Sequence, residues 1–138
     1  MLPLILTLSN FLSWQRMSTP LDLTGIGLAC LCGDNGHGKS ALLDAITWVL
    51  WGESRAERQE SLIYQGAREM SVELEFLARD QQYKVVRKHV SSTRGRQGRT
   101  ELELLHLSGA TQTPITGNSV RHTEDVIKEL LNMDYSTF

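Results

Sequence analysis

Apolar and polar positions change their period along the chain, and each change marks an element. Residues 4–8 form a short apolar run that predicts a strand. Residues 10–19 are polar, and a second short apolar run follows at 21–23 before Thr24 and Gly25 turn the chain. Residues 27–32 are almost continuously apolar, the texture of a strand covered on both faces. The period then lengthens. Leu42, Leu43, Ile46, Val49 and Leu50 fall at i, i+1, i+4, i+7 and i+8, one stripe of a helix, and Gly52 is its natural stop. Residues 53–66 are charged and irregular, with room for one short helical turn. From residue 70 the period drops to two: Val72, Leu74 and Phe76 alternate with Ser71, Glu73 and Glu75. Residues 83–90 and 100–107 are further strands, the first pair joined by the short hairpin 78–82 and the second by the long polar loop 91–99. Ser108 and Gly109 turn again, and Pro114 and Gly117 keep the next stretch irregular. A last helix starts at an N-cap between Ser119 and Thr123 and carries Val126, Ile127, Leu130 and Leu131 to about Met133.

Between the apolar run 27–32 and the first helix lies Gly33-Asp34-Asn35-Gly36-His37-Gly38-Lys39-Ser40. Gly33, Gly38, Lys39 and Ser40 match G-x-x-x-x-G-K-[ST] in the required context, strand before and helix after. The residue types have physical reasons. Gly33, Gly36 and Gly38 let backbone N–H groups converge on phosphate oxygens. The helix start adds its dipole and unpaired donors. Lys39 places a cation on the β and γ phosphates, and the Ser40 hydroxyl is a magnesium ligand. The order of elements with this loop predicts an α/β P-loop NTPase lobe with a mostly antiparallel β-layer. The whole chain reads as one lobe: a P-loop core over about 1–66, a β-meander over about 70–107 and a terminal helix over about 119–133.

Composition narrows this little. The 138 residues carry a net charge of −2, so a case for nucleic acid must be local. Residues 2–8 are broken by Pro3 and Thr7, lack a positive leader and are too short to span a bilayer, so no membrane association and a cytoplasmic location are expected. Cys30 and Cys32 would share one face of a strand, as free thiols rather than a disulfide or zinc site.

Several segments together resemble the amino-terminal head lobe of SMC-like ATPases. They are Leu8-Ser9-Asn10-Phe11-Leu12-Ser13, the glycine loop, Ala41-Leu42-Leu43-Asp44-Ala45-Ile46, Val72-Glu73-Leu74-Glu75-Phe76, Tyr83-Lys84-Val85-Val86-Arg87-Lys88 and Met133-Asp134-Tyr135-Ser136-Thr137-Phe138. The pattern most resembles that of the SbcC and Rad-fifty branch, which serves DNA double-strand-break repair. The resemblance implies ATP and Mg as cofactors, with Gly33, Asn35, Gly36, Gly38, Lys39 and Ser40 binding nucleotide and Asn10 and Ser13 near it. Where the family often has arginine and histidine this chain has Leu12 and Trp14, and Arg16 is a candidate substitute. The partners implied are the carboxy-terminal lobe of the same head, a second head joined through ATP, an SbcD or Mre-eleven-type nuclease and double-stranded DNA, in a nucleoid-associated setting. The expectation is of an amino-terminal lobe cut or split from a longer protein.

The resemblance implies an ABC-ATPase-like head, whose hydrolysis needs a lid glutamine, a Walker B strand ending in Asp-Glu, a signature Ser-Gly-Gly helix and a switch histidine. No Asp-Glu dipeptide occurs in the sequence. Leu107-Ser108-Gly109-Ala110 imitates the signature, but it follows a strand and precedes Pro114, so it reads as a β-turn. Gln65 imitates the lid glutamine at the wrong place in the order. No catalytic residue is therefore expected in the chain, which should bind nucleotide and hydrolyse it poorly. Between Asp80 and Glu101 there is no acid, while Lys84, Arg87, Lys88, Arg94, Arg96 and Arg99 accumulate. Lys88, Arg94, Arg96 and Arg99 are the candidate contacts to duplex phosphates, weighed against a merely solvated tip. Arg55 and Arg58 are weaker candidates. Open alternatives are a small P-loop kinase, another SMC, RecF or RecN-like chromosome-maintenance ATPase, and a DNA-interaction module with a vestigial loop.

Overall fold

The computed structural model describes residues 1–16, 20–24 and 39–138, with Arg16 and Lys39 described by backbone alone. The expected strand at 27–32 and glycine loop at 33–38 lie outside the described residues. Strand β1, Leu2–Phe11, runs beyond the expected 4–8. It pairs on one side with two short strands, β2 (Trp14–Arg16) and β3 (Leu21–Asp22). On its other side it meets β4, Glu69–Ala78. Strands β5 (Gln81–Val90), β6 (Arg99–Ser108) and β7 (Thr111–Pro114) complete one sheet in the order β2-β1-β4-β5-β6-β7, with β3 also on β1. Every pairing among the described residues is antiparallel. Because β1 pairs directly with β4, the P-loop core and the meander share one sheet.

Alternation decides what each face carries. Leu6, Leu8, Val72, Leu74, Phe76, Val85 and Leu104 are buried on the inner face. Helix α1, Lys39–Trp51, packs there against β1, β4 and β5 through Ala45, Trp48 and Val49, and the Trp48 ring lies 5.7 Å from that of Phe11. Gly52 follows with φ +74°, the left-handed stop expected of it. One 3-10 turn, Gln59–Leu62, interrupts the connector.

Helix α2, Val120–Leu131, begins as expected: Ser119 caps it by accepting from the His122 N–H at 3.1 Å, and Asn132 ends it at φ +50°. Ile127 and Leu131 pack into the same core. Beyond it the chain turns back onto α1. The Trp51 indole donates to the Met133 carbonyl at 3.1 Å, and the Phe138 ring sits 5.4 Å from Trp51. Ser108 ends β6 and Gly109 and Ala110 form the hairpin turn, with Gly109 at φ +59°, so the signature-like residues head no helix. That hairpin leads into β7, in place of the irregular stretch that Pro114 and Gly117 predict. All four of its residues are exposed, so no apolar alternation announces it.

Candidate functional site

Helix α1 begins at Lys39, directly after the glycine loop. Ser40 is exposed, and no acidic residue occupies the first turn, so nothing there offsets the positive end of the helix. The first acid on α1, Asp44, lies one turn beyond Ser40 and is buried. Its carboxylate accepts from Arg55 three times, from Nε at 3.2 Å, Nη2 at 2.9 Å and the backbone N–H at 3.3 Å. This fork holds the connector against the helix and neutralises the first carboxylate along α1. The described part of the site therefore fits a phosphate ligand. Of the weaker candidates Arg55 and Arg58, both exposed, Arg55 is engaged with Asp44.

Asn10 and Ser13 sit at the far end of β1. Asn10 adopts φ +53°, and its carbonyl accepts from the Tyr64 N–H at 2.7 Å. Ser13 is exposed in the two-residue turn between Phe11 and Trp14. Asn10 lines a cavity of about 250 Å³ together with Ser9, Glu69, Met70, Ser71 and Lys88. The structure thus brings a residue expected near nucleotide together with one expected near DNA. Gln65 is exposed in the connector.

The basic segment divides by strand parity. Lys88 is exposed on the outer sheet face, opposite Ser71 on β4 and Glu101 on β6. Lys84 shares that face and pairs with Glu73 at 3.6 Å. Arg87 points the other way and is 2 % exposed. Its Nη2 donates to Glu124 on α2 at 2.8 Å, its Nε to the Val49 carbonyl at 3.3 Å, and its guanidinium lies 5.7 Å from the Trp48 ring centre. Burial lowers the Arg87 pKa, and the Glu124 carboxylate offsets only part of that. Arg87 is therefore a core tie. Period two would have shown this, because Val85, Arg87 and His89 have the same parity.

In the loop 91–99, Thr93 and Arg96 exchange backbone hydrogen bonds of 3.0 and 2.9 Å around Arg94 and Gly95, with Gly95 at φ +82°. Arg94 and Arg96 are exposed and form no ion pair with a described residue, while Arg99 reaches Glu101 at 3.5 Å. At the root of this loop, buried His89 bridges Thr100 at 2.8 Å and Glu60 at 3.3 Å, a link that no sequence signal suggests.

Comparison with known proteins agrees with this architecture. The family described as AAA domain matches residues 6–138. Over 143 aligned residues the chain is 38% identical to the SbcC component of the SbcCD nuclease of Deinococcus radiodurans, an alignment covering all of this chain and 15% of that protein. Over 97 residues it is 37% identical to the DNA double-strand break repair Rad50 ATPase of Thermoplasma volcanium, covering 70% of this chain and 10% of that protein. The chain thus spans about a seventh or less of the curated relatives it matches. A solved structure of the recombination mediator protein RecF with ATP superposes with a TM-score of 0.58 at 16% identity, over 86% of this chain and 29% of that one, a likeness of fold. A P-loop-type lobe built on an antiparallel sheet, matched by the family over nearly its whole length, places this chain in the AAA domain family as a homologue of one segment of the SbcC and Rad50 ATPases.

Proposed function

We propose that the chain is the ATP-binding lobe of an SbcC- or Rad50-like ATPase acting in DNA double-strand-break repair. The observation that carries this is a helix opening on Lys39 and Ser40 straight after Gly33-Asp34-Asn35-Gly36-His37-Gly38, with its first turn free of acid and its own first carboxylate, Asp44, paired to Arg55. In this reading the loop amides and Lys39 hold the β and γ phosphates, and Ser40 holds magnesium, which would neutralise charge on those oxygens. Asn35 belongs to the same loop. Ser13 remains a candidate at the margin of the nucleotide.

The 138 residues contain no Asp-Glu dipeptide to polarise water, and Ser108 ends a strand ahead of the Gly109-Ala110 hairpin turn. Hydrolysis is therefore assigned to an assembly in which a carboxy-terminal lobe and a second head complete the site. An SbcD or Mre11-type nuclease and duplex DNA are the further partners, with Lys88, Arg94, Arg96 and Arg99 as phosphate contacts. The test is ATP turnover by the chain with and without a supplied carboxy-terminal lobe. Turnover only in the presence of the lobe supports the reading, and efficient turnover by the 138 residues alone contradicts it. Transfer of phosphate by the chain alone to a small acceptor would establish the kinase alternative.

A further inference from the structure

Four elements meet at one end of the sheet: β1 and β5 finish there, and β4 and β6 begin. In register across it, Arg16 of β2 pairs with Ser9 of β1, Ser9 with Ser71 of β4, and Ser71 with Lys88 of β5. Strand parity puts Ser9, Ser71 and Lys88 on the outer face, away from α1 and α2. Between them lies the 250 Å³ cavity whose lining adds Asn10 and Glu69. Lys88 is exposed and makes no ion pair with a described residue. Asn10 is held at the cavity by its left-handed backbone and by the hydrogen bond from Tyr64. The same end of the sheet carries exposed Arg68, whose carbonyl accepts from the Ser91 N–H at 2.8 Å, and the loop bearing Arg94 and Arg96.

Resting on the DNA-contact reading above, we propose that the Ser9–Asn10–Ser71–Lys88 cavity is a binding site for a phosphodiester of the DNA backbone, and that Asn10 serves this site rather than the nucleotide. An ammonium, two hydroxyls and a carboxamide are the donor set that a phosphate oxygen accepts from. Glu69 also lines the cavity, and Glu101 stands across from Lys88. These acids decide the ligand class. A terminal phosphate monoester carries close to two negative charges and is repelled more strongly than a diester, which carries one. Contacts of this kind fix the position of the duplex and read no sequence.

The test is titration of a labelled blunt duplex and, separately, of Mg-ATP into the 138-residue chain and its Lys88→Gln, Ser71→Ala and Asn10→Ala variants, with thermal melts confirming the fold. Lys88→Gln should weaken duplex binding about tenfold and lower its salt slope by about one. The other two variants should weaken it less, and all three should leave Mg-ATP affinity unchanged. A loss of Mg-ATP affinity in Asn10→Ala with duplex binding intact would return Asn10 to the nucleotide and overturn the proposal. Duplex binding lost on Arg94→Gln and Arg96→Gln but unmoved by Lys88→Gln would overturn the cavity while sparing the DNA reading. A wild-type chain that binds no duplex would overturn both. If a variant melts early, dimethyl phosphate titrated into the wild-type chain decides: amide shifts at Ser71 and Lys88 support the site, and their absence rejects it.

Discussion

Arg87 shows how far one side chain's meaning depends on parity. Taken with Lys84, Lys88 and the loop arginines it reads as part of a basic surface, yet it is buried between α1, β5 and α2. There it supplies the cation that α1 lacks in its last turn, donating to the Val49 carbonyl. Replacing it leaves Glu124 without its partner, so Arg87→Met should destabilise the chain by about 3 kcal/mol in urea unfolding. Gly52→Ala should cost more than about 1 kcal/mol, because φ is +74° and a Cβ there would lie 2.9 Å from both Arg87 Nη1 and Glu124 Oε1. Loss of either effect would mean that the tie is not under load. Glu60 gives a pH dependence. Its own backbone hydrogen bond, then its contact with His89, hold its carboxyl below the ordinary range. A lowered folded-state pKa stabilises above the unfolded value, near 4.5, and the contribution disappears as pH falls through the folded value. Glu60→Gln should therefore flatten the acid side of the stability profile and leave the profile above pH ~6 parallel to wild type. An unchanged acid limb would contradict the assignment.

At the scale of elements, legibility follows the length of the apolar repeat. Helix α1 and strands β4, β5 and β6 carry long stripes or alternations against a buried face, and their positions can be read directly. Strands β2, β3 and β7 have two to four residues and exist because a neighbour offers a ladder, so their own sequences say little. β7 also shows how the sheet is finished. The Ile115 N–H donates inward to the Leu104 carbonyl, which by antiparallel alternation turns the amides of residues 112 and 114 outward. Residue 114 is proline, so only Gln112 offers a donor along that edge. The α2 cap is legible to within a few residues because Ser119 carries its own signal. Ser119→Ala should lower stability by about 1 kcal/mol, measured by the same unfolding experiment. No change would mean that the His122 N–H finds another acceptor.

Across the whole molecule, one sheet separates two kinds of chemistry. Its inner face carries α1, and with it the helix start at Lys39 and Ser40 proposed to hold phosphate. One end of the sheet carries Lys88 on the outer face and the arginine loop between β5 and β6. The phosphate motif is legible because glycine, lysine and serine at fixed spacing have few other uses. The Asp44–Arg55 fork, the His89 bridge and the cavity at Asn10 are not, since each joins residues distant in sequence whose meeting depends on sheet register. The central claim is that this lobe grips the phosphates of a magnesium nucleotide through Lys39. Calorimetric titration of Mg-ATP into the chain and into Lys39→Ala tests it most directly. Saturable binding in the first and its loss in the second, with both chains melting alike, is the predicted result; equal affinity in the two, or no binding by a folded wild-type chain, would contradict it.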